Sequence, residues 1–228
     1  MSTFDPDHFL NKTFYQWDLQ TMLADVLDFL EFSENNLSWQ RRREIRKVER
    51  EAEQVEFEEK DKYLEPQYRA QLIEGAEYRF DVSLSQRIRY AGLVAFVTTI
   101  QWCALTLRKR MVLPLPECPK STNKEMHILA TLNVMGSCGF DRGISDISDL
   151  IHVRNCIVHA AGLVNSYEHA STLPASITRL SGIKICNTNF LGPSIEIAQG
   201  AVEAYVGAAN EWLPKLDEVC TARGILKS

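Results

Sequence analysis

The sequence predicts an all-α fold: an antiparallel bundle of six or seven helices, with a small β-hairpin or irregular insertion before the last helix. Three observations predict it. Apolar residues recur at three- and four-residue steps along most of the chain. The connections between periodic stretches are short, which favours antiparallel neighbours. Between residues 163 and 193 the helical period lapses, and Ile183 and Ile185 alternate with Lys184 and Cys186 as in a short hairpin.

Leu19, Met22, Leu23, Val26, Leu27 and Leu30 make one apolar face, so a first helix is expected from about Thr13 to Phe32. A charged helix follows near 40–62. It opens on Arg41, Arg42 and Arg43 and carries a narrow stripe of Ile45, Val48, Ala52 and Val55. Pro66 should close or bend that element. A shorter helix is expected across Tyr68, Leu72, Ile73 and Ala76. Ser83 and Gln86 form a capping-box pattern, expected to open the most apolar helix, 84–110. Arg108, Lys109 and Arg110 suit its C-terminal dipole. Pro114, Pro116 and Pro119 read as a rigid linker. Thr122 and Glu125 should begin the next helix, Gly136, Gly139 and Gly143 a loop, and Ser145 or Asp146 should cap a helix ending near Gly162. The last helix is expected from Pro193 or Ser194, with Pro214 kinking or ending it. The domain expectation is an N-terminal helical segment, 1–82, and a helical domain, 83–228, forming one compact unit.

The apolar fraction of 45% suffices for a core, and the net charge of −5 argues against a chain that coats nucleic acid with its whole surface. The N-terminus lacks the order of a signal peptide, and no run of about 18 apolar residues is evident, so no membrane span is expected. The six cysteines are widely spaced with no CxxC pair. Free thiols in a reducing, cytoplasmic setting are expected, with no metal site and no cofactor. Trp39, Trp102 and Trp212 fall in apolar stripes and are expected in the core.

The candidate site is the run from Asp149 to Gly162. Arg154, Asn155 and His159 crowd into six residues of an otherwise apolar helix, where a polar group is costly unless it has a partner or a task. A guanidinium holds phosphate by a bidentate fork, and an imidazole moves protons near neutral pH. Asn155 and His159 share one face, and His152 lies within about 20° of the same line. Arg154 is rotated about 140° from His159, so one helix alone does not force the two heads together. Asp149 is a candidate to orient His152.

Arg154-Asn155-Cys156-Ile157-Val158-His159 resembles the arginine–polar–three–histidine motif of HEPN-domain proteins, and the order of helices over residues 84–222 resembles their layout. The resemblance implies a HEPN-like domain over 83–228 and a homodimer whose two motifs share one cleft. It further implies a metal-independent RNA endonuclease of a toxin–antitoxin or antiviral defence system, with RNA and an antitoxin or defence protein as partners. Arg154 would bind the scissile phosphate, His159 would act as general acid or base, and Asn155 would orient His159 or the phosphate. One branch of the family carries a tyrosine two residues after the histidine. Ala161 stands there in this chain, and the nearest tyrosine is Tyr167. The alternative is a non-catalytic helical module that binds RNA or a partner protein through the charged helix.

Overall fold

The computed structural model describes residues 14–119, 122–187 and 191–227. The expected first residue of the first helix, Thr13, lies outside them. The described chain is an all-α bundle of seven α-helical segments with one two-stranded hairpin before the last. Two of those segments are joined end to end, so six separate helical rods result. The chain divides into two compact units, residues 28–91 and residues 1–27 with 92–228. The segment expected as 1–82 is therefore divided between them.

Residues 14 to 53 form one helix, α1 (Phe14–Glu53). The expected break between residues 32 and 40 is absent. Ser33 to Trp39 are polar or aromatic but include neither glycine nor proline, and a formed helix propagates through such residues. A 3-10 turn, Glu59–Leu64, leads into α2 (Glu65–Tyr78). Pro66 therefore starts a helix, where its missing N–H costs nothing. A π segment, Arg79–Leu84, then continues into α3 (Ser85–Arg110). Ser83 caps nothing: it lies inside that segment, and the Ser85 hydroxyl donates to the Asp81 carbonyl at 2.6 Å.

Within the 28–91 unit, two ion-pair sets fasten α1 to the helices that follow. Arg41 meets Asp81 with two nitrogens, at 2.7 and 2.9 Å, and Glu77 at 2.9 Å. Arg89 meets Glu34 at 3.1 Å, both largely shielded from solvent. Sequence position rises along one partner as it falls along the other, so the pair is antiparallel. Trp39, expected in the core, is 54% exposed.

The larger unit holds the core. Phe96, Ile100 and Leu107 of α3, Ile128, Leu129 and Leu132 of α4 (Lys124–Gly136), and Leu150, Val153 and Cys156 of α5 (Asp141–Ala160) are fully buried. Leu213, Leu216 and Cys220 of α7 (Ala201–Ala222) join them. α6 (Leu173–Arg179), which the sequence reading treated as irregular, packs on α5 and on the hairpin. Strands β1 (Ile183–Cys186) and β2 (Ser194–Ile197) pair antiparallel, with Ile183 opposite Ile197 and Ile185 opposite Ile195. Residues 194–197 are thus strand, and the last helix starts at Ala201, later than expected. That helix continues through Pro214 to Ala222.

By length and composition the helix ending at Arg110 is apolar enough to cross a bilayer, contrary to expectation, but half of its most apolar stretch is buried in the protein.

Candidate active site on helix α5

Both ends of α5 are built by specific groups. Asn123, rather than Thr122, caps α4, its side chain accepting from the Glu125 and Met126 amides. Further along α4, buried Asn133 accepts from the Phe140 amide at 2.9 Å and donates to the Asp141 carboxylate at 3.0 Å. The helix therefore begins at Asp141, ahead of the Ser145 or Asp146 expected to cap it. Gly143 lies within it, where a Cβ would sit 2.7 Å from the Trp212 indole nitrogen. At the other end Ala161 and Gly162 take the left-handed conformation, at φ 52° and 81°. Gly162 N–H donates back to the Cys156 carbonyl at 3.2 Å, closing the last turn.

The helix buries Ile147, Leu150, Val153, Cys156 and Ile157. His152, Arg154 and Asn155 are left half-buried and His159 exposed. Arg154 Nη1 donates to Asn155 Oδ1 at 2.9 Å, and Nη2 donates to Gln101 Oε1 on α3 at 3.2 Å. Its Nε is buried with no hydrogen-bond partner. A guanidinium carries five N–H donors, so one on each terminal nitrogen is unused besides the buried Nε. Asn155 thus holds Arg154 through its side-chain oxygen.

Burial raises the Tyr167 hydroxyl above its usual pKa, with further upward pushes from Cys156 and Glu168, against a lowering influence of the Asn155 side chain. Burial likewise pushes the Cys156 thiol up to about 11, which leaves it a poor nucleophile near neutral pH. Asp149, the candidate to orient His152, is engaged by α6. Both of its carboxylate oxygens accept from Arg179 of α6, Oδ2 at 2.7 Å and Oδ1 at 2.5 Å. The pair fastens α6 to the motif helix one turn before Arg154.

Gln101 and Arg179 were not singled out in the sequence. Gln101 carried a signal, as a polar interruption of the most apolar helix. Arg179 carried none.

A cleft of about 680 Å³ opens near the start of α5, lined by Arg142, Asp146, Tyr205 and Trp212 among others. It lies about 12–18 Å along the helix axis from Arg154. Burial raises the Asp146 carboxyl, Arg142 opposes that, and Asp149 adds to it. Tyr205 Oη accepts from the Ser181 amide and donates to its carbonyl, at 2.7 and 3.1 Å. No group of three or more His, Cys, Asp or Glu side chains able to hold a metal occurs among the described residues.

The chain matches no family model, no curated protein and no solved structure.

Proposed function

We propose that this protein is a metal-independent RNA endonuclease of HEPN type, acting as a homodimer with a composite cleft. What supports the reading is the presentation of Arg154. Its guanidinium is held by two neutral amide oxygens, so it keeps its full positive charge. Neutral acceptors orient a cation without cancelling its attraction for a phosphate. His159 follows five positions later, exposed in the last turn of the same helix.

RNA carries its own nucleophile, the 2′-hydroxyl. One His159 takes its proton as the oxygen attacks phosphorus. The Arg154 side chains hold the charge that gathers on the phosphorane oxygens. The second copy's His159 protonates the departing 5′-oxygen. The products carry a 2′,3′-cyclic phosphate and a 5′-hydroxyl. A role in a toxin–antitoxin or antiviral system, a cytoplasmic setting and an antitoxin or defence partner belong to the same proposal. The alternative, a binding module on the charged helix, is weakened by Arg41, which Glu77 and Asp81 already engage.

The test is incubation of the full chain with end-labelled RNA in excess chelator. Expected are cyclic-phosphate ends, with the rate falling about 10²- to 10⁴-fold in His159→Ala. Absence of cutting by the wild-type chain across structured and single-stranded RNA would overturn the proposal. So would an undiminished rate in His159→Ala.

A further inference from the structure

We propose that the exposed outer stripe of α1 is a self-complementary docking surface whose occupant is a second copy of this chain, α1 laid antiparallel on α1. The stripe runs Asp28, Phe32, Asn35 and Asn36, Trp39, Arg43, all exposed. Phe32 is 72% exposed. The steps of four, three and four residues keep these side chains within about 100° of helix circumference and about 22 Å of length. Arg43 confirms the shared face, since its guanidinium stacks over the Trp39 ring at 5.7 Å.

The order of chemistry along the stripe identifies the occupant. Turned about a two-fold axis between Asn35 and Asn36, residue 32 maps onto 39, 28 onto 43 and 35 onto 36. Phe32 then meets the second copy's Trp39, and Asp28 meets the second copy's Arg43. Each contact occurs twice, as a two-fold interface requires. The paired amides at the axis favour one register over a slipped one. Asn36 Oδ1 takes only a long bond from Gln40, at 3.5 Å. A parallel copy would set Asp28 on Asp28 and Arg43 on Arg43, which repels. A nucleic acid would meet Asp28 and Glu31 along the same surface. Phe29, Leu37, Leu84 and Ile88 wall a groove of about 380 Å³ beside the stripe, extending its apolar area. The stripe contains no residue of the Arg154–His159 motif, so variants in it test this contact and leave the motif's side chains unchanged.

Sedimentation velocity on the full chain tests it, with circular dichroism to confirm that each variant stays helical. The wild-type chain is expected to dimerise in the micromolar range, and Phe32→Asp to raise Kd about 100-fold. Asp28→Arg and Arg43→Asp are each expected to weaken the dimer about tenfold, and the double variant to recover it. A wild-type chain that stays monomeric at its highest soluble concentration overturns the inference. A folded Phe32→Asp that dimerises as well as wild type does so too, as does a double swap no tighter than the single ones.

Discussion

Gln101→Leu separates the orientation of Arg154 from its charge. The substitution removes the acceptor for Nη2 and leaves the Asn155 contact to Nη1 in place. A hydrogen bond to a charged group contributes roughly 1.5–3 kcal/mol. At 3.2 Å, and with both side chains half-exposed, the low end applies. If that orientation is used only where charge gathers on the phosphorane, about 1.5 kcal/mol is roughly a tenfold loss in kcat. KM should barely move, because the guanidinium charge is intact. The melting temperature should fall by only about 2–4 °C for each kcal/mol lost from the folded state. Gln101→Glu makes the complementary case. A carboxylate at the same position would neutralise the guanidinium and repel phosphate, so both kcat and KM should suffer and the loss should exceed that of leucine. The assay is steady-state cleavage of a fluorescent RNA, paired with thermal melting. Wild-type kinetics in Gln101→Glu would refute the assignment of Arg154 to phosphate by a guanidinium kept uncancelled, since a carboxylate at hydrogen-bonding distance would offset much of its charge.

Two further outcomes concern stability. Asp217 is 1% exposed, and Arg110 reaches it at 2.7 Å. Arg110→Met leaves that carboxylate uncompensated and should cost about 3–5 kcal/mol at neutral pH in urea unfolding, with Arg110→Met/Asp217→Leu recovering most of it. Burial already raises the Asp217 carboxyl above its usual range, against the pull of Arg110, and losing Arg110 raises it further. A carboxyl raised in the folded state favours folding most below its unfolded pKa, and that advantage fades as pH rises through the raised value. The Arg110→Met deficit should therefore shrink toward about pH 4, and a deficit that grew on acidification would contradict the account. Gly143→Ala drives a methyl group to 2.7 Å from the Trp212 nitrogen, on a ring that is itself buried. It should cost about 1–3 kcal/mol, and unchanged melting would show that the indole moves freely.

Local periodicity was enough for most of the helices, because each buries one face and needs apolar residues at three- and four-residue steps. Joins between helices were harder to read. Nothing in Ser33 to Trp39 breaks a helix, yet their polarity resembles that of a loop. Ser83 and Gln86 match a cap pattern, but the chain never unwinds there, so no amide is left needing a cap. The start of α7 is not legible locally, because Ser194–Ile197 is strand only through its pairing with residues 183–186, a non-local contact. In the site, Arg154, Asn155 and His159 stood out as polar residues in an apolar run. Their partners did not. Gln101 lies 53 positions from Arg154, and Arg179 lies 30 from Asp149. Only the packing of α3 and α6 against α5 makes them neighbours.

The two built ends of α5 have a consequence for how this segment can vary. Asn133 seats its first turn, and the left-handed pair at 161–162 stops its last. Between those stops the helix behaves like a shaft with a set number of teeth. Adding or removing one residue there would turn everything beyond it by about 100°, swinging Arg154 away from Gln101 or forcing one stop to give way. A change of length outside those two stops leaves the relative facing of the α5 side chains as it is.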